Sequence, residues 1–106
     1  MKEDLILTER AGVLTAQIMC DIDHHTAKPM REHMDRMLFE RKPQILVLDF
    51  SAVGFMDSSG IGLIIGRAEK ARAIGAQVSV IGLSPTLMKL VRISGIEKLQ
   101  NISLKK

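Results

Sequence analysis

Gln44-Ile45-Leu46-Val47-Leu48-Asp49, running on through Phe50-Ser51 to Phe55-Met56-Asp57-Ser58-Ser59-Gly60-Ile61-Gly62, is the stretch that decides the fold. Ile45 to Leu48 is a short apolar run, partly β-branched and preceded by Pro43, which predicts a strand buried on both faces rather than a helix. Beyond it Ile61, Ile64, Ile65 and Ala68 recur at intervals of three and four. That spacing predicts a helix with one apolar face, starting at about Gly60 and ending at Gly75. In open α/β sheets the crevice beyond the carboxyl ends of the strands is the usual working surface, and Asp57, Ser58 and Ser59 fall there. Asp or Ser is the natural N-cap of such a helix. Its free N–H groups place a Ser where an added phosphate is tolerated.

Upstream, Leu5 to Glu9 and Val13 to Met19 flank the short connection Arg10-Ala11-Gly12 and read as a β-hairpin. Leu14, Ala16 and Ile18 share one face of its second strand, while Val13, Thr15, Gln17 and Met19 make a less apolar opposite face. A helix then opens after Asp21-Ile22-Asp23-His24-His25-Thr26, with Pro29 expected in its first turn and Ala27, Met30, Met34, Met37 and Leu38 as its core stripe. Glu32 and Arg36 are spaced for an outward pair, and Lys42-Pro43 stops the helix. Downstream, Gln77 to Ile81 reads as a strand, Ser84-Pro85 as N-cap and N1 of a helix ending at Gly95, and Leu99 to Ile102 as a short edge strand. Gly62 and Gly66 lie four apart on the middle helix, open to close approach by this chain's own sheet or by a docked partner.

This order predicts an α/β fold: a mainly parallel, mixed sheet with an N-terminal hairpin strand and helices packed on one face, as right-handed crossovers require. The 106 residues suffice for a single domain over 1–106, and 46% apolar content fills its core without staples. The single cysteine, Cys20, rules out a disulfide framework and a cysteine-based metal site, and fits a cytoplasmic setting. With a polar start and no apolar run of membrane-spanning length, neither a signal peptide nor a membrane partner is expected. Residues 1–50 carry seven Lys/Arg and nine Asp/Glu, a net of −2, and 51–106 carry eight and three, a net of +5. A basic second half suits an acidic partner. With no Tyr or Trp and three Phe there is little to stack bases on, so nucleic acid is not the expected partner.

His24 and His25, near Asp21 and Asp23, invite a metal reading, but adjacent residues at a helix start diverge and no third nitrogen or sulfur ligand is nearby. A second alternative makes them bases for Ser58 or Ser59 in a small hydrolase. The Gly-x-Ser-x-Gly elbow is missing, since Met56 stands two before Ser58 and Asp57 two before Ser59. Phosphate-loop and dinucleotide-loop signatures are absent as well. Asp23 and His24 are expected to cap the helix or contact a partner, with no metal and no cofactor. On the motif alone, a helix-capping role for Ser58 or Ser59 is the favoured reading.

Phe55-Met56-Asp57-Ser58-Ser59-Gly60-Ile61-Gly62, with Gly66-Arg67, closely resembles the signature of the bacterial anti-sigma factor antagonists, small proteins with the STAS fold. Asp23-His24-His25-Thr26-Ala27, Ser84-Pro85 and Ser94-Gly95-Ile96-Glu97-Lys98 resemble further segments of that family in the same order. The sporulation branch is the nearest in pattern. The resemblance implies a partner-switching regulator of transcription, not an enzyme. Unphosphorylated, such a protein binds an anti-sigma factor that is also an ATP-dependent serine kinase and frees the sigma factor; phosphorylation inactivates it and a serine phosphatase restores it. By position Ser59 is the implied phosphoacceptor, with Ser58 the second choice. Asp23, His24, Asp57, Ser58, Gly60, Gly62 and Arg67 are the implied partner-binding residues. STAS modules of stress-response or transporter-regulating complexes are the alternative. The chain departs from the pattern at Ala76, where many relatives have a second Gly, and in ending at Lys106, short of a final helix that many carry.

Overall fold

The computed structural model describes residues 3–105. Its elements run β1 (Leu5–Arg10), β2 (Val13–Ile18), α1 (His24–Arg41), β3 (Ile45–Asp49), α2 (Ser58–Ala73), β4 (Gln77–Ile81), α3 (Pro85–Ile93), a 3₁₀ turn (Ile96–Lys98) and β5 (Ile102–Leu104). The strands lie in sequence order in one sheet. β1 and β2 are antiparallel and every later neighbour is parallel. The hairpin turns on Ala11 and Gly12 alone, at φ 51° and 82°, the positive pair that matches the twist of its flanking strands.

The register aligns Leu14, Leu46, Val78 and Ile102 in one row and Ala16, Leu48, Val80 and Leu104 in the next. These rows, with Ile18, form the floor of a single core. Over it lie Ala27, Met30, Met34 and Leu38 of α1, Leu63, Ile64, Ala68 and Ala71 of α2, and Leu87 and Val91 of α3. All three helices therefore cover one face, with Met30 and Met34 of α1 in the core and Met37 half-buried against it. The other face carries Val13, Thr15, Val47, Ser79 and Ile81, all half-buried, and Ile45, which is exposed. β3 is thus sealed on one side only, contrary to what its apolar run predicts, because no helix crosses to the far face.

Three further expectations are corrected. Pro29 is the sixth residue of α1, not in its first turn, so the helix lacks the N–H that would bond to the His25 carbonyl. α2 begins at Ser58, two residues early, because Asp57 is its cap. β5 starts at Ile102, displaced from Leu99, because after Gly95 (φ 81°) the chain makes the 3₁₀ turn and then buries Asn101. The Asn101 amide donates to the carbonyls of Ala68 (2.9 Å) and Ala76 (3.1 Å), locking the last strand to α2 and the start of β4.

Candidate functional site

Two loops at the carboxyl edge of the sheet are tied together before either helix starts. Asp21 Oδ1 accepts N–H bonds from Gly54 (3.0 Å) and Phe55 (3.1 Å). Ile22 and Met56 form a parallel bridge, with the Ile22 N–H donating to the Phe55 carbonyl (3.0 Å) and the Asp57 N–H to the Ile22 carbonyl (3.2 Å). Strand-like pairing between loops fixes the starts of α1 and α2 side by side.

Each start is capped by an aspartate. Asp23 Oδ1 accepts from the N–H of His25 (2.8 Å) and Thr26 (2.9 Å), and the Asp23 N–H donates back to Thr26 Oγ1 (2.9 Å), a reciprocal capping box. The Thr26 N–H bond, followed by the His25 one, holds the Asp23 carboxyl below its ordinary pKa. At α2, Asp57 Oδ1 accepts from the Ser59 N–H (2.8 Å) and the Asp57 carbonyl from the Gly60 N–H (2.9 Å). Those two amides are therefore already engaged, and the helix end offers an added phosphate less than its position in the sequence implies.

Between the two helices lies a cavity of about 210 Å³, with His24, Lys28 and Arg31 of α1 on one side and Ser59, Gly62 and Leu63 of α2 on the other. Ser58 is exposed beside it, and Ser59 is half-buried. His24, Ser59 and Gly62 thus line one surface, and Asp23 and Ser58 are exposed at the two helix starts that border it. Gly60 does not line it: it is buried, and a Cβ there would stand 2.5 Å from Met56 Sδ and 2.9 Å from its Cγ. A Cβ at Gly62 or Gly66 would meet no atom of the described residues within 4 Å other than its chain neighbours and the backbone of its own helix. These two glycines consequently face outward, and the sheet of this chain is not what approaches them.

Arg67 must be corrected. The sequence places it on the partner surface, but its side chain is only 2% exposed, with Nε 2.7 Å from Asp35 Oδ1 and Nη2 donating to Asp35 Oδ2 at 3.2 Å. Nη1 has no hydrogen-bond partner among the described residues. Burial pulls the guanidinium pKa down and the Asp35 charge opposes that. Arg67 instead clamps α2 to α1 behind the cavity. The signal that sequence reading passed over is on α1: His24, Lys28 and Arg31 recur at i, i+4 and i+7, one face of a helix.

No hydrogen bond joins His24 to the Ser59 hydroxyl among the described residues, and the His24 ring packs edge-on to His25 with centroids 5.8 Å apart. Among those residues no three His, Cys, Asp or Glu side chains gather as metal ligands, and no helix is long and apolar enough to cross a membrane. Cys20 is half-buried, its thiol pKa raised first by burial and then by Asp4, Asp21 and Asp23.

The family model of the STAS domain matches residues 4–106. The anti-sigma F factor antagonist of Paenibacillus polymyxa is 31% identical over 102 residues, covering 96% of this chain and 87% of that protein. The anti-sigma factor antagonist SpoIIAA in its unphosphorylated form superposes with a TM-score of 0.81 at 23% identity, over 96% of this chain and 88% of that one. The Bacillus cell fate determinant SpoIIAA in its phosphorylated form gives 0.75 at 23% identity, over 96% and 91%.

Proposed function

Because the chain belongs to the STAS-domain family, among the anti-sigma factor antagonists, we propose that it is a partner-switching regulator whose surface at the start of α2 binds an anti-sigma factor. In this reading the anti-sigma factor is also a serine kinase. It transfers the γ-phosphoryl group of its bound ATP to the Ser59 hydroxyl, leaving ADP, and a serine phosphatase removes the group again. The chain itself is not an enzyme. The observation that supports this reading is that Ser59 lines one cavity with His24 and Gly62, where Gly62 offers nothing to hold another backbone away. A phosphate there adds about −1.5 to −2 charges at the centre of that surface. Asp57 and Gly60 support it from beneath, as the cap and as the packing contact with Met56.

Incubation with the candidate anti-sigma factor kinase and ATP, read by intact mass and peptide mapping, tests the assignment. Wild type and Ser58→Ala are expected to gain one phosphate and Ser59→Ala none. Phosphorylated protein is expected to bind the anti-sigma factor at least about tenfold more weakly, equivalent to about 1.4 kcal/mol or more. Full phosphorylation of Ser59→Ala would overturn the choice of Ser59, and capture of a complex of another kind would favour the stress-response or transporter-regulating alternative.

A further inference from the structure

We infer that a phosphate on Ser59 is received within the molecule by the basic wall of α1, so that phosphorylation closes the partner-binding groove in cis. The inference rests on the proposed role of Ser59 and specifies how that modification acts. Ser59 lines the cavity opposite His24, Lys28 and Arg31, and the loops that carry it are pinned to the start of α1 by Asp21 and Ile22. The phosphate has three acceptor oxygens and, at neutral pH, close to two charges to satisfy. Its own helix start is partly served: the Ser59 and Gly60 N–H groups are held by Asp57, whose carboxylate also sets a negative charge at that end. Across the cavity Lys28 and Arg31 are exposed, and no ion pair involves either among the described residues. Asp21 and Asp23, the other carboxylates at this edge, are occupied too, Asp21 by the Gly54 and Phe55 N–H groups and Asp23 by those of His25 and Thr26.

A dianion at Ser59 therefore meets two permanent cations and one histidine on α1, set against the carboxylates of Asp21, Asp23 and Asp57, each already bonded to backbone N–H groups. Charge-assisted bonds to Lys28 and Arg31 draw it across the groove. A phosphate in that place covers the approach to Gly62 and neutralises the cations a partner would meet. The switch then needs no movement of the backbone, because what changes is the occupancy and charge of a groove that already exists.

Phosphoserine installed at position 59 during translation tests this without any kinase. The phosphate's second ionisation, followed by phosphorus NMR, is expected about one unit below its ordinary value near 6. In Lys28→Gln/Arg31→Gln it is expected to return to that value. Both residues are exposed, so the double variant should fold, and its unphosphorylated melt checks that it does. Phosphoserine 59 should also raise the melting temperature of the wild type and leave that of the double variant unchanged. A wild-type ionisation equal to that of an unfolded phosphopeptide spanning 54–64 would overturn the inference. A lowered ionisation that survives in the double variant would overturn it too, assigning the effect to the α2 start. Because the phosphate is placed chemically, these outcomes stand apart from whether a kinase selects Ser59.

Discussion

Two helices begin at the same edge of the sheet, after β3 and after β4, and both are capped through a side-chain oxygen: Asp57 for α2, and Ser84, whose Oγ accepts the Leu87 N–H at 3.2 Å, for α3. By local sequence they are equivalents, and Ser84-Pro85 is the better formed start of the two. The larger cavity also belongs to α3, about 480 Å³ lined by Leu83, Pro85, Met88 and Ile93 with Lys89 and Arg92. The α2 start has only about 210 Å³, but it alone is bonded across to a second loop and faces cations from another helix. Neither a cap nor cavity size marks a site in this fold. What distinguishes the α2 start is that segments distant in sequence converge there around Ser59.

The sharpest way to break that distinction is to release the clamp behind it. Asp35→Ala leaves Arg67 buried without its counter-charge, and a loss on the order of 3 kcal/mol is expected in chemical denaturation. Adding Arg67→Leu should restore much of it, because the uncompensated charge is then gone. If Asp35→Ala costs less than a few tenths of a kcal/mol, α1 and α2 are not held by this pair.

A pair of glycines one half-turn apart sharpens the comparison within α2. Gly60→Ala forces a methyl group onto Met56 and should destabilise by about 1–3 kcal/mol. Gly62→Ala has open space, so stability should rise by up to about 1 kcal/mol through helix propensity. The same Gly62→Ala change should weaken partner binding, measured by calorimetry, although the protein is more stable. Unaltered affinity would show that the partner does not approach α2 there.

The smallest effects compare the two caps directly. Asp57→Ala and Ser84→Ala should each cost about 1 kcal/mol of stability, since each removes one N-cap acceptor. Their effects on anti-sigma factor binding should diverge, with affinity reduced by Asp57→Ala and retained by Ser84→Ala. Equal losses of affinity would extend the interface to α3 and its apolar groove.

Where the signal is local, the amino-acid order sufficed. β4, the Ser84 cap, the methionine stripe of α1 and the hairpin follow from side-chain period, Pro and Gly placement and capping chemistry, all acting within a few residues. The fold class follows too, because strand-helix alternation leaves a right-handed, mainly parallel sheet as the ready solution. The position of Ser59 at a helix start was legible for the same reason, from a contiguous run beyond the end of a strand.

Tertiary structure decided what each charge and each glycine is for. Arg67 reads as a surface residue in a basic half of the chain, yet packing turns it inward to Asp35, 32 positions away. The cations beside Ser59 come from Lys28 and Arg31, in the half whose net charge is negative, because summing charge along a chain ignores which helix faces which. Gly60 and Gly62 are two residues apart and spelled alike, but the turn of the helix points one at Met56 and the other at solvent. β5 begins late because Asn101 satisfies its amide on carbonyls 33 and 25 residues distant. Period and propensity act through neighbours in the chain; burial, ion pairing and close approach act through neighbours in space, and only the folded sheet and its helices bring those together.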